Sequence, residues 1–160
     1  MKNASLVFAL CLSWLNLFSQ QAPIIVHSLP DSALDVQSYL SIHIDESKEL
    51  TLAEVKFLAE SGQFVPFKRV QFKGMLERGK FAYWFQFSVD VRESTAQSAI
   101  LTGFAGNIQL YHFHQGQLQD SLQIGYDLIE KERQNPKFGY HRKYLPIALS
   151  AGQHQFFVRK

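Results

Sequence analysis

This chain has almost no cysteine. Of its 160 residues one is a cysteine, Cys11, and it lies in the apolar N-terminal stretch. The rest of the chain therefore excludes a disulfide scaffold, a cysteine enzyme and a thiolate metal site. Charge is also sparse: 19% of residues are charged, the net charge is +2, and the basic residues are dispersed. No electrostatic footprint for nucleic acid is present, so nucleic acid is not an expected partner. The chain lacks a phosphate loop, a dinucleotide fingerprint and a G-x-S-x-G nucleophile setting. It has no internal repeat, no low-complexity segment and no helix–strand alternation. These gaps leave a non-enzymatic fold without a cofactor as the expectation.

The longest apolar run is at the N-terminus. Lys2 precedes Ala4 to Phe18, a run broken only by Ser5, Ser13 and Asn16, and Ser19 offers a small residue for cleavage before the polar Gln20-Gln21. Residues 1–19 read as a secretory signal peptide. A membrane anchor is the alternative, but the run is short for a span of about 20 residues. Cleavage after Ser19 removes Lys2 and lowers the net charge to +1, counted from the +2 of the whole chain. Phe8-Ala9-Leu10 lacks the small residue expected just ahead of a lipidated Cys11. The folded unit is then expected over residues 24–160, in an exported and extracytoplasmic or periplasmic protein, held by its core alone.

Aromatics are plentiful, 14% of residues with 14 Phe, as befits a folded chain with a real core. The strongest pattern runs from Phe81 to Val91. Phe81, Tyr83, Phe85, Phe87, Val89 and Val91 occupy every odd position, which places them on one face of a β-strand. The opposite face starts apolar, with Ala82 and Trp84, and turns polar at Gln86, Ser88 and Asp90. This is the strand of a sheet with one face in a dry core. Further strands are expected at Ile24–Val26, Ser38–Ile44, Phe64–Phe67, Ala99–Thr102, Asn107–Phe113, Gln117–Ile124, Tyr144–Leu149 and Gln153–Arg159. His114-Gln115-Gly116 is a hairpin signal. Leu128 to Lys137 is the most polar segment and reads as an exposed loop. One helix is predicted, Leu52–Ser61. Thr51 and Glu54 fit a capping box, Leu50 and Val55 a hydrophobic staple, and Gly62 the residue that ends it. The helix is expected to cover one end or edge of the sheet. Eight or nine short strands with turns at this spacing imply an all-β jelly-roll sandwich.

Few residues point to chemistry. His112 and His114 form an H-x-H pair whose side chains share a strand face, so both can reach one metal. A third ligand would have to come from His141, His154, Asp120 or Asp127. His112 is also in phase with Ile108 and Leu110, which argues for a histidine at the edge of the core. Trp84 is either a flat platform for a sugar ring or a core residue under the helix, and packing is the preferred reading. Tyr140-His141-Arg142-Lys143 is a cationic cluster able to grip hydroxyls or a carboxylate, or a solvated loop. Asp45-Glu46 sits in a turn and looks like surface charge.

Taken together, several stretches resemble one family, the type 2 extracellular domain of bacterial seven-transmembrane receptors with diverse intracellular signalling modules. The carriers are Ile42-His43-Ile44-Asp45-Glu46 with Leu50 to Val55, Tyr83-Trp84-Phe85-Gln86-Phe87, Ile108-Gln109-Leu110-Tyr111-His112-Phe113, Gly125-Tyr126-Asp127, and Arg142 with Leu145-Pro146-Ile147 and Gly152 to Arg159. The resemblance spans Ile24 to Lys160. It implies a periplasmic jelly-roll sensor placed ahead of a membrane-embedded signalling region, and a carbohydrate or other small molecule as ligand. Family members continue into membrane helices, whereas this chain ends on the closing strand; it reads either as part of a longer receptor or as a stand-alone relative. Trp84 and Tyr111, on strands inside the resemblance, and Arg142, which opens the closing hairpin, are the expected ligand-binding residues. A protein-interaction or structural module of the cell envelope, docking a partner protein, is the alternative. A metal-dependent enzyme using His112 and His114 is the third reading.

Overall fold

A computed structural model describes residues 22–27, 34–67, 79–93, 98–101, 108–124, 144–147 and 149–160. The strands are β1 (Ile24–Val26), β2 (Leu34–Asp35), β3 (Ser41–Asp45), β4 (Val65–Pro66), β5 (Ala82–Val91), β6 (Ser98–Leu101), β7 (Ile108–His114), β8 (Gln117–Ile124), β9 (Tyr144–Ile147) and β10 (Gly152–Arg159). One α-helix, α1 (Leu52–Glu60), lies between β3 and β4. The larger sheet runs β4-β3-β5-β10-β7-β8, and β1 also pairs with β5. The smaller sheet runs β2-β6-β9.

The Phe81 to Val91 stretch forms the middle of the larger sheet, as its alternation predicts. β10 pairs antiparallel with β5 from Trp84 to Val91. Along the other edge β5 is shared. Its first half pairs antiparallel with β3, and Val89 to Val91 pair in parallel with β1. Tyr83, Phe85, Phe87, Val89 and Val91 are all buried and meet Ile42, Leu110, Phe156 and Val158 from neighbouring strands. Ile147 and Leu149 join the same cluster, with Leu34 packed against it, so the smaller sheet closes over this face. The molecule is a two-sheet all-β sandwich. Phe87 stacks on Phe156 with ring centroids 4.7 Å apart.

Helix α1 begins as the capping box requires. The Thr51 Oγ1 accepts from the Glu54 N–H at 3.4 Å, and the Glu54 carboxylate accepts from the Thr51 N–H at 2.7 Å. It ends in a Schellman arrangement: Gln63 N–H donates to Leu58 O, Gly62 N–H donates to Ala59 O, and Gly62 takes φ 71°. The helix does not cover an end or edge of the sheet, as the sequence suggested. It lies on the face opposite the phenylalanine row, where Val55 and Ala59 pack with Trp84, Phe113 and Phe157. The reason is that the second face of the sheet is itself apolar at this point and needs a lid.

Two local expectations shift. The strand expected from Ser38 starts at Ser41, because Gln37–Tyr39 is a 3-10 turn. Asp35 causes it: its carboxylate accepts the Gln37 N–H at 2.9 Å, and Tyr39 N–H closes the turn on Val36 O at 2.9 Å. Leu34–Asp35 forms a further short strand beside β6. The β7–β8 hairpin turns on Gln115 and Gly116, at φ 50° and 79°, the twist a two-residue connection needs. The expected loop over residues 128–137 and the N-terminal stretch 1–19 lie outside the described residues.

Candidate functional site

The face under α1 gathers the aromatic residues that sequence singled out. On β5, Trp84 is 1% exposed; on β10, Phe157 is fully buried; on β7, Phe113 is buried. Tyr111 sits at the margin of this cluster, half-buried. Its ring stacks on Trp84 with centroids 6.0 Å apart and planes 22° apart. The Arg159 guanidinium lies over Trp84, 5.6 Å from the ring centroid. Register sets Arg159 opposite Gln109, and on β8 Gln123 opposite Gln109 and Ser121 opposite Tyr111. Strand alternation therefore lines Arg159, Gln109, Gln123 and Ser121 up on the same face as the phenol of Tyr111. Burial pushes the Tyr111 hydroxyl above its usual pKa, against the opposing pull of Arg159. The phenol stays protonated and is a donor as well as an acceptor.

Arg159 is held in place. One of its nitrogens, Nη2, donates to Lys48 O at 2.5 Å, and Lys48 Nζ donates to Gly79 O at 2.5 Å. The turn that presents Lys48 is organised by Asp45. Asp45 was expected as surface charge, yet it is only 2% exposed. Its carboxylate accepts from Ser47 Oγ at 2.6 Å, from Lys48 N–H at 2.8 Å and from Leu50 N–H at 3.2 Å. Burial raises its pKa, but these donors, together with Trp84, outweigh burial and hold the carboxyl below its ordinary value. Trp84 Nε1 is buried without a hydrogen bond of good geometry among the described residues, so its effect on Asp45 is that of a nearby N–H dipole rather than of a formed bond.

Among the described residues the histidine pair does not assemble a metal site. His112 and His114 do share a face of β7, but His154 of β10 joins them as a hydrogen-bonding partner. His154 Nε2 donates to the Ser150 carbonyl at 2.9 Å, which leaves its Nδ1 free to accept from His112 Nε2 at 2.8 Å. His114 Nε2 donates to Ala151 O at 3.2 Å. Each Nε2 is thus a donor within this network, and the lone pairs left for a metal are those on Nδ1 of His112 and His114. No group of three or more His, Cys, Asp or Glu able to hold a metal occurs among the described residues. Burial, then His154 and His114, press the His112 pKa down to about 4. Burial also lowers His154, the Ser150 carbonyl opposes it, and His114 adds to the lowering.

The structure brings Trp84 and Tyr111 together, as one stacked pair. Trp84 is no open platform: it lies under α1, and only Tyr111 reaches solvent. Arg142 lies outside the described residues, as do His141 and Asp127. Sequence reasoning missed Arg159, whose only signal was its place in register on the closing strand. It also missed His154 as the partner of His112, which lies 42 residues away.

No helix among the described residues is long and apolar enough to cross a membrane. None of the curated proteins matches the chain. The family model described as 7TMR-DISM extracellular 2 matches residues 37–160.

Proposed function

The chain belongs to the 7TMR-DISM extracellular 2 family, and from that premise we propose that it is the periplasmic ligand-sensing input of a bacterial signalling receptor. The family is a receptor extracellular domain, which puts the chain on the extracytoplasmic side. The ligand is a small solute of carbohydrate type, bound without chemistry. One observation carries this reading: a half-buried Tyr111, backed by Trp84 and flanked by Arg159, Gln109, Gln123 and Ser121 on one strand face. An aromatic ring face offers apolar contact to the C–H side of a sugar ring, while amides, a hydroxyl and a guanidinium fork satisfy its hydroxyls or a carboxylate. In this reading Trp84 positions Tyr111 from below. β9 and β10 lie in different sheets, so the expected closing hairpin does not form; Arg142, two residues ahead of β9 in sequence, is kept in this proposal as the further polar contact. The partner expected for such a domain is a membrane-embedded signalling region.

The test is a thermal-shift and calorimetric screen of mono- and oligosaccharides, amino acids and divalent metals. A ligand at 100 times its dissociation constant is expected to stabilise the fold by about 2.7 kcal/mol. The shift is expected to disappear in Tyr111→Ala and to weaken in Arg142→Ala. A screen in which no solute shifts the protein favours the protein-interaction alternative, and a shift with metal alone that His112→Ala removes favours the metal reading. Export belongs to the same proposal. Protein secreted by a bacterial host is expected to begin near Gln20; a cytoplasmic product that keeps Met1 overturns it.

A further inference from the structure

The histidines, which form no metal cluster among the described residues, are arranged for something else. His112 is 5% exposed and His154 is 2% exposed, so two imidazoles are set into the interior at one end of the sandwich. His154 links three parts of the chain: it accepts from His112 on β7, donates to Ser150 ahead of β10, and stacks on His114 with centroids 4.5 Å apart and planes 9° apart. His114 in turn donates to Ala151 O, and Ser150 Oγ lies 3.5 Å from its Nε2. The turn presses directly on this ring. A Cβ on Gly152 would sit 2.9 Å from His114 Nε2.

We propose that His112, His154 and His114 form a proton-sensitive latch that ties the β9–β10 turn to strand β7 and releases it when the row takes up a proton. The argument is stereochemical. His154 Nδ1 is the acceptor in the central bond, and His112 Nε2 already points a hydrogen at it. A proton arriving on His154 Nδ1 turns the acceptor into a donor, so two N–H groups face each other across 2.8 Å unless His112 moves its own proton from Nε2 to Nδ1. A proton arriving on His112 at Nδ1 keeps the central bond but leaves a charged ring in the interior, 5.1 Å from His154 and stacked at 4.7 Å on Phe156. Little on the neighbouring elements would neutralise that charge. β5 offers Val89 opposite His154, and β9 with the following residues offers Ile147 and Leu149. On β8, Gln117 faces His114 and Asp120 faces His112, and Asp120 is the one acidic residue among the described residues that acts on the row. Asp90 pairs with Gln153 and belongs to the other face of the sheet. Protonation is therefore relieved most readily by moving the turn away and letting the imidazoles reach water. The low pKa of His112 and the lowered pKa of His154 agree with this. A domain on the extracytoplasmic side meets the acidity of its surroundings, and this latch needs no bound solute to respond.

The experiment is an NMR titration of the isotope-labelled protein from about pH 7.5 to about pH 4.5, with amide exchange measured at each step. The expected result is that the His112 and His154 ring signals titrate together, below the range of an ordinary histidine. Over the same interval, exchange at the amides of residues 150–153, corrected for its intrinsic pH dependence, should accelerate by about tenfold or more while α1 stays protected. His154→Gln keeps a donor for the Ser150 carbonyl and an acceptor for His112 but cannot titrate at position 154, so the response should shrink in it by the share that His154 carries. Three results overturn the proposal: ring signals that titrate like free histidine, a turn and helix that lose protection together, or an unchanged response in His154→Gln. Should that variant fail to fold, the comparison of turn with helix in the native protein decides alone. A protein that binds no solute can still show the latch, and a ligand-binding protein can lack it.

Discussion

Single side chains in this molecule matter by what they lie under. Phe85 has no exposed surface and meets Phe67 edge-on at 5.8 Å. Phe85→Ala should cost about 3–5 kcal/mol in urea unfolding; a loss under about 1 kcal/mol would remove β5 from the centre of the core. That residue was legible because alternation over Phe81 to Val91 is a local pattern. Asp45 was not legible. Its sequence context, Asp45-Glu46-Ser47-Lys48, signals a turn, and a turn normally faces water. The fold instead sets its carboxylate under three donors. Asp45→Ala orphans the Lys48 and Leu50 amides and should cost about 2–3 kcal/mol. A near-neutral change would mean water replaces the carboxylate. The same limit applies to His154. Its pairing with His112 is decided by the antiparallel register of β10 on β7, which joins positions far apart in the chain.

At the scale of elements, the sequence specified what is encoded within a few residues. The capping box, the staple and the Gly62 stop all sit within 13 residues, from Leu50 to Gly62, and α1 forms between them. The position of α1 was not encoded there. A nine-residue helix is too short to persist alone and takes its stability from what it covers. Here it covers Trp84 and Phe157 on the sheet face, not an edge. Thr51→Ala removes the acceptor for the Glu54 amide and should cost about 1 kcal/mol. If the cap acts on the helix alone, Thr51→Ala should raise amide exchange over residues 52–60 and leave β5 unchanged. Equal loss in both would make α1 and the sheet one cooperative unit. The paired strands teach the same lesson. Gln117–Ile124 was legible to the residue because a turn and an alternating pattern bound it, whereas the two-residue β2 carries no periodic signal.

For the whole molecule, the absence of disulfides leaves stability to packing and to protonation, and the two meet at the histidines. His112 titrates at about 4 when folded and at its ordinary 6.5 when unfolded, so between these values the unfolded chain binds the proton that the folded chain refuses. Stability is therefore full above about pH 6.5 and falls as the pH drops toward about 4. His154 is lowered as well and pushes in the same direction. The carboxylates act in a lower window: Asp45 and Glu54 are both held below their ordinary values, so their contribution is lost only as the pH falls through the acid range beneath 3.8 and 4.5. Denaturant unfolding should thus show two separate losses on acidification, with the upper one belonging to the histidines. A rigid fold should lose about 3 kcal/mol from His112 alone across the upper window. A latch that opens lets the folded protein take up these protons within the window, so the loss should level off earlier and at a smaller size. Urea midpoints measured at half-unit steps of pH on the native protein and on His154→Gln distinguish these. A flat profile above about pH 5 in the native protein would mean that His112 is not held in the interior in solution.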